Sequence, residues 1–295
     1  MQTIQAIIDA IAVGALYALV AVGLALVFGV MRLINFAQGE LITAGAYSLY
    51  LTRNLPLVVS IVVCFVVCVA LAVAIERVAF RPLRGASPAT TLVATFAVAF
   101  ALEAVWLIAF TPQGKTADLL SALNRTATHG SLHLRWVTIT ELVAGVVLLG
   151  GTVLVLNRTT IGLHMRAAAS DFRAARLLGV RADRVIRAAF AMSGFLAAVV
   201  SLLLTVQQPL VTPTFGLDVT ILALVGAVLG GIDRLATATA GGFLIGFISS
   251  ILGDELPASL SNFAPSFTFL VVILVLLIRP AGLLAPLGQS GVDRV

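Results

Sequence analysis

Asn35, Gln38 and Glu40 put two amides and a carboxylate within six residues of an otherwise apolar segment, Leu33 to Leu51. A charged side chain in hydrocarbon costs at least ~2.5 kcal/mol, so these groups must face a cavity, a partner side chain or the membrane interface. On a regular helix Asn35 and Gln38 share a face, whereas Glu40 turns away from Gln38 by about 200°. One regular helix therefore cannot aim all three at one cavity. Gly39 lies between the two faces, and a break there is expected. It would leave Asn35 and Gln38 bordering a polar path and Glu40 holding the break through a hydrogen bond or ion pair. The plainer alternative is that Glu40 is an interfacial carboxylate near Arg32. Glu103, inside the apolar run Thr90 to Phe110, either joins such a path or bonds a neighbouring helix.

Other chemistry is excluded by spacing. Gly114-Lys115-Thr116 resembles the end of a phosphate-binding loop, but that loop needs a glycine five positions earlier and position 109 is Ala. No nucleotide site is expected on this chain. His129 and His133 are four apart with no third metal ligand nearby, so an exposed loop face is expected and no metal. Neither Gly-x-Ser-x-Gly nor His-Glu-x-x-His occurs. A membrane enzyme has no constellation to stand on.

The stretch from Asn157 to Arg187 carries seven arginines against Asp171 and Asp183, an excess of five that equals the formal net charge of the whole chain, +5. Met165, Ala168, Phe172 and Ala175 recur at helical spacing as one apolar stripe, and Arg166, Arg173 and Arg176 fall on another face. Gly179 follows Leu177 and Leu178 where a helix end wants a left-handed residue. Asp183 is placed to cap a second short helix starting at Arg184. The expected result is a helical hairpin whose apolar stripe serves as a docking surface. Its plainer reading is a positive loop that only sets orientation.

These groups are positioned by elements that belong in a bilayer. Of 295 residues, 60% are hydrophobic and 11% charged, and mean hydropathy is +1.12. A soluble domain carries about 25% charged residues. Several runs exceed the ~20 apolar residues that cross a membrane. The fold class is all-α: one polytopic domain over residues 1–295, with about eight transmembrane helices, nine if both short C-terminal runs cross fully. The run Val219 to Gly231 is short enough to be a half-helix. Positive charge in the Arg77–Arg84 loop and in the hairpin places both in the cytoplasm. The arginine excess is local and flanked by spans, which argues against nucleic acid. Cys64 and Cys68, one helical turn apart, read as buried thiols. A weak repeat relates Gly29-Val30-Met31-Arg32-Leu33 and Gly39 to Gly231-Ile232-Asp233-Arg234-Leu235 and Gly241; Asp233-Arg234 itself reads as an interfacial turn.

The block from Gly23 through Asn35-Phe36-Ala37-Gln38-Gly39-Glu40 resembles inner-membrane permeases of bacterial ABC importers for branched-chain amino acids. Further pieces resemble the same family: Glu76-Arg77-Val78-Ala79-Phe80-Arg81-Pro82-Leu83-Arg84, then Leu177-Leu178-Gly179-Val180 with Asp183-Arg184-Val185-Ile186, and Val228-Leu229-Gly230-Gly231-Ile232. The resemblance implies a second, homologous permease subunit, two cytoplasmic ATP-binding subunits and an extracytoplasmic substrate-binding protein. It implies that ATP is hydrolysed by those partners, with no cofactor on this chain, and that the arginine hairpin meets the ATPase. Arg166, Phe172, Arg173, Arg176, Gly179 and Asp183 are then the coupling candidates. Asn35, Gln38, Glu40 and Glu103 are the path candidates. Gln38 stands where the family commonly has His, and Asp233-Arg234 where small residues are usual. Related permeases carry urea and amides, so those substrates stay open. An ion-coupled secondary transporter is the alternative from another class, with Glu40 and Glu103 its only candidate acids.

Overall fold

Six helices among the described residues are long and apolar enough to cross a membrane, and two shorter apolar ones accompany them. The computed structural model describes residues 2–118, 126–129, 132–257, 260 and 263–279. In chain order the helices are α1 (Gln2–Met31), α2 (Gln38–Thr52), α3 (Leu57–Ile75), α4 (Pro88–Phe110), α5 (Trp136–Arg158), α6 (Thr160–Ser170), α7 (Phe172–Leu177), α8 (Ala182–Gln207), α9 (Leu217–Gly230), α10 (Leu235–Glu255) and α11 (Ala264–Ile278). A π-helical turn, Glu76–Phe80, continues α3. Between α4 and α5 lie short strands: β1 (Lys115–Thr116), β2 (Thr126–His129) and β3 (Leu132–Arg135). β1 pairs antiparallel with β4 (Leu210–Val211), and β2 with β3. The chain is a multi-pass helical membrane protein.

From Ala10 onward helix α1 is apolar on nearly every side, the pattern of a helix surrounded by others. Leu16, Ala18, Leu19, Val22 and Val27 are all buried. It packs against α5, α8, α9 and α10. On the α10 side the backbones nearly touch, since a Cβ on Gly246 would stand 2.9 Å from Gly14 Cα. Helices α4 and α5 instead turn Val93, Phe100, Ile108, Val146 and Leu154 outward, which suits contact with lipid.

Contacts between distant segments define two ends. At the basic end, Arg32 bonds Asp233 and the Ala169 carbonyl, and Arg81 and Arg84 bond Asp183. At the opposite end lie the β1–β4 pair, Ser60 bonded to the Thr52 carbonyl, and Thr138 bonded to Asp9. Two crossings between these ends are broken. Helix α2 has 15 residues and α9 has 14. At 1.5 Å per residue each spans only ~21 to 23 Å. Both begin at mid-depth: Gln38 bonds Ser193, which lies ~17 Å along α8 from Ala182 at 1.5 Å per residue. Gly216 packs on Gly39, with its N–H donating to Thr43 Oγ1 at 3.0 Å. From this crossing α2 runs to the opposite end and α9 to the basic end.

Candidate functional site

The break before α2 lies at residues 32–37, not at Gly39. Arg32 takes a left-handed φ of 54° and the chain then runs non-helically to Gln38. Gly39 is inside the helix, and its lack of a side chain serves packing. A Cβ there would meet the Gly216 carbonyl oxygen at 3.0 Å. Asn35 is therefore off the helix and does not share a helical face with Gln38. Its Oδ1 accepts from Ala37 N–H at 3.1 Å, and its carbonyl from Gln38 N–H at 3.3 Å. Asn35, not Glu40, satisfies the backbone of the break, as an Asx-type turn does.

Gln38 and Glu40 go to different neighbours. Ser193 Oγ donates to Gln38 Oε1 at 2.6 Å, and Gln38 Nε2 donates to the Ser193 carbonyl at 3.4 Å. Glu40 is 1% exposed and accepts from Trp106 Nε1 on α4 at 2.8 Å. The interfacial reading of Glu40 therefore fails. Glu103, half-buried, precedes Trp106 by three residues on α4. Aromatic stacking fastens the same seam: Phe36 on Phe96 and Tyr47 on Phe110, both with centroids 3.9 Å apart. Offset stacking adds ~0.5 to 1.5 kcal/mol per pair beyond the buried area. These two stacks fasten α4, which has few other neighbours.

The basic hairpin is three elements, not one helix and a short second one. Thr159 caps α6 by accepting from Gly162 N–H at 3.1 Å, and Asp171 caps α7 by accepting from Ala174 N–H at 2.9 Å. Gly179, at φ 88°, ends α7: its N–H bonds the Arg176 carbonyl and Val180 N–H bonds the Ala175 carbonyl, a Schellman pair. α8 then starts at Ala182 and runs 26 residues without interruption. Asp183 does not cap it. Its carboxylate takes Arg81 at 3.0 Å and also Arg84, while Arg84 reaches Glu76, itself 1% exposed.

The apolar stripe is turned inward. Met165, Ala168 and Ala175 are buried, and Phe172 is half-buried against the chain's own core. Arg166 folds back on the end of α5, bonding the Leu156 carbonyl at 2.5 Å and Asn157 Oδ1 at 2.6 Å. Arg176 is exposed; the side chain of Arg173 lies outside the described residues. What the hairpin presents outward is Leu177 and Leu178, 90% and 86% exposed, flanking Gly179. Sequence periodicity could not single them out, because they fall in the turn that ends a helix of six residues.

Three carboxylates, two buried and one half-buried, carry no local signal in the sequence. Glu76, at the start of the π-helical turn, is buried and paired with Arg84. Glu141 on α5 is buried and accepts from Gln207 Nε2 at 2.5 Å. Asp9 links Gln5 at 2.9 Å and Thr138 at 3.1 Å. Gly114-Lys115-Thr116 leads into a strand and not a helix, unlike a phosphate-binding loop. His129 and His133 lie on the paired strands β2 and β3, with their side chains outside the described residues. Among the described residues no three His, Cys, Asp or Glu side chains gather as for a metal. Cys64 and Cys68 are buried, Cys68 within 3.3 Å of the Leu41 carbonyl.

Comparison with known proteins places this architecture. The family described as branched-chain amino acid transport system / permease component matches residues 6–279. The chain is 30% identical to the high-affinity branched-chain amino acid transport system permease protein BraD of Pseudomonas aeruginosa, covering 99% of this chain and 98% of that one. It is 29% identical to LivH of Escherichia coli K12, with 99% and 97% covered. Among solved structures, PsaBC from Streptococcus pneumoniae in complex with Fab aligns with a TM-score of 0.52 at 13% identity, over 94% of this chain and 91% of that one, a likeness of fold alone. The family match over residues 6–279, together with relatives that align over nearly the whole length, makes this chain a member of the branched-chain amino acid transport permease family.

Proposed function

We propose that this chain is the membrane-spanning permease subunit of an ATP-driven importer that moves branched-chain or related amino acids across the bacterial inner membrane. That BraD and LivH are permeases of high-affinity branched-chain amino acid transport systems supports the substrate class. The observation that carries the coupling role is the exposed Leu177-Leu178 pair on a Schellman-terminated turn at the basic end. Two leucines held in water by an ordered turn want a partner surface. Cytoplasmic ATP-binding subunits supply that surface, and the basic end faces the cytoplasm, as its arginines favour.

The chain itself performs no chemistry in this reading. ATP is bound and hydrolysed by the partners. Asp183 ties the first turn of α8 to Arg81 and Arg84, and Arg84 ties both to Glu76 at the end of α3. A push on the hairpin is thus delivered to α3 and α8 together. Both pack on α2, so the displacement reaches the α2–α9 crossing. Alternating access follows as the broken crossings, with Asn35, Gln38, Glu40 and Glu103 about them, open to one side and then the other. A second permease subunit completes the path, and an extracytoplasmic binding protein delivers substrate.

The test is reconstitution of the chain with its candidate partners in proteoliposomes. Leucine uptake is expected to need ATP on the hairpin side and the binding protein, and to persist when ionophores collapse ion gradients. Ionophore-sensitive uptake by the chain without ATPase subunits would overturn the reading in favour of an ion-coupled carrier.

A further inference from the structure

The outer half of the second broken crossing contains a cavity of about 480 Å3. It lies between the β1–β4 pair and the first turn of α9, directly beyond the Gly39–Gly216 contact. Its volume is in the ~300 to 1,000 Å3 range of small-molecule sites. Four polar side chains line it: Thr116, Gln208, Thr212 and Asp218. None of the four donates to or accepts from another described side chain, and Asp218 has no ion-pair partner among the described residues. Leu210 and Phe215 supply apolar wall. One unpaired anion, three unpaired neutral dipoles and an apolar wall make the complement of a small amphiphile whose polar head includes an ammonium group.

We infer that this cavity is a substrate subsite on the side facing the binding protein, in which Asp218 is the counter-charge for the ammonium group of the incoming amino acid. The inference rests on the proposed transport function and gives it a residue. Thr116, Gln208 and Thr212 offer hydrogen bonds to the polar head, and Phe215 and Leu210 receive the apolar side chain. Position explains the design. Phe215 and Asp218 flank Gly216 in sequence, so the cavity lies beside the crossing where α9 begins.

The experiment uses Thr212→Cys in the assembled importer, reconstituted in proteoliposomes without the binding protein. This chain's native thiols, Cys64 and Cys68, are wholly buried, so with cysteine-free partner subunits the new cysteine is the reactive one. A charged methanethiosulfonate reagent applied from the outer side reports access. Millimolar L-leucine is expected to slow labelling several-fold, and 4-methylpentanoate, the same molecule without its amine, to leave it unchanged. Asp218→Asn is expected to raise the half-protecting leucine concentration about tenfold or more, the scale of one charge-assisted hydrogen bond. Asp218→Glu should retain protection. No protection by leucine, or equal protection by 4-methylpentanoate, would overturn the inference. ATP-driven leucine uptake by the complex with unsubstituted Thr212 and Asp218 is measured in parallel with the binding protein present. Uptake without protection refutes this subsite alone, whereas absence of uptake refutes the transport reading beneath it.

Discussion

Gly39 and Gly216 meet backbone to backbone where two short helices begin, with a Cβ on Gly39 reaching 3.0 Å from the Gly216 carbonyl oxygen. A Cβ on Gly216 would run into the Gly39 carbonyl and stand 2.9 Å from Ile42 Cβ. The two helices leave this point in opposite directions, so the crossing is where one broken span hands over to the other. Gly216→Ala should therefore force α2 and α9 apart, at about 1 to 3 kcal/mol for overpacking. A lower melting temperature in detergent together with lost uptake is the expected result. A variant with unchanged melting and unchanged uptake would mean that the crossing tolerates separation.

The hairpin separates folding from docking. Leu177 and Leu178 are exposed, so replacing both with Ser should change stability by no more than about 0.5 kcal/mol. Recovery of the ATP-binding subunits by co-purification should nevertheless fall sharply. Phe172→Ala should behave in the opposite way. Half-buried against the core, it should lose on the order of 1 to 2 kcal/mol of stability. If the Leu177→Ser/Leu178→Ser chain still recovers the ATPase in full, the docking surface lies elsewhere on the basic end.

The sequence carried most of the helices and the existence of both special regions, because each rests on strong local signals. Apolar length marks the spans, desolvation cost marks Glu40, and Gly179 marks its own turn. Partners were another matter. Whether Met165, Ala168 and Phe172 turn inward or outward depends on the long-range placement of α6 beside α1 and α8, which no local periodicity encodes. The same holds for Asp183: a cap and an ion pair demand the same residue at the same place. Only the position of Arg84, 99 residues away in sequence, decides between them. The polar cluster points to a break but not to its place, since Gly39 answers to the neighbouring Gly216 backbone and the chain breaks from Arg32.

Arg84 is the hub of the basic end, and its two contacts differ in kind. Glu76 is buried, so removing its partner by Arg84→Ala leaves a carboxylate uncompensated and should cost ~3 to 5 kcal/mol. Arg81 meets Asp183 near the surface, where a pair is worth ~0 to 1 kcal/mol, so Arg81→Ala should barely alter melting. The double variant Glu76→Leu/Arg84→Leu should recover much of the stability lost by Arg84→Ala. If it melts normally yet uncouples ATP hydrolysis from uptake, the pair links hairpin and spans. Normal coupling in that variant would assign the link to other contacts of α8.

Glu40 tests whether a buried carboxylate serves packing or transport. Its bond from Trp106 Nε1 needs an acceptor, which Glu40→Gln preserves through the amide oxygen. That variant should keep most of the uptake. Glu40→Leu leaves the indole N–H without an acceptor at about 1 to 3 kcal/mol, and uptake should fall with stability. The deciding variant is Glu40→Leu/Trp106→Phe, which removes donor and acceptor together and should melt near the parent. Uptake restored along with stability would reduce Glu40 to a clamp between α2 and α4. Uptake still absent from a stable double variant, while Glu40→Gln transports, would place the polar group of residue 40 on the path itself.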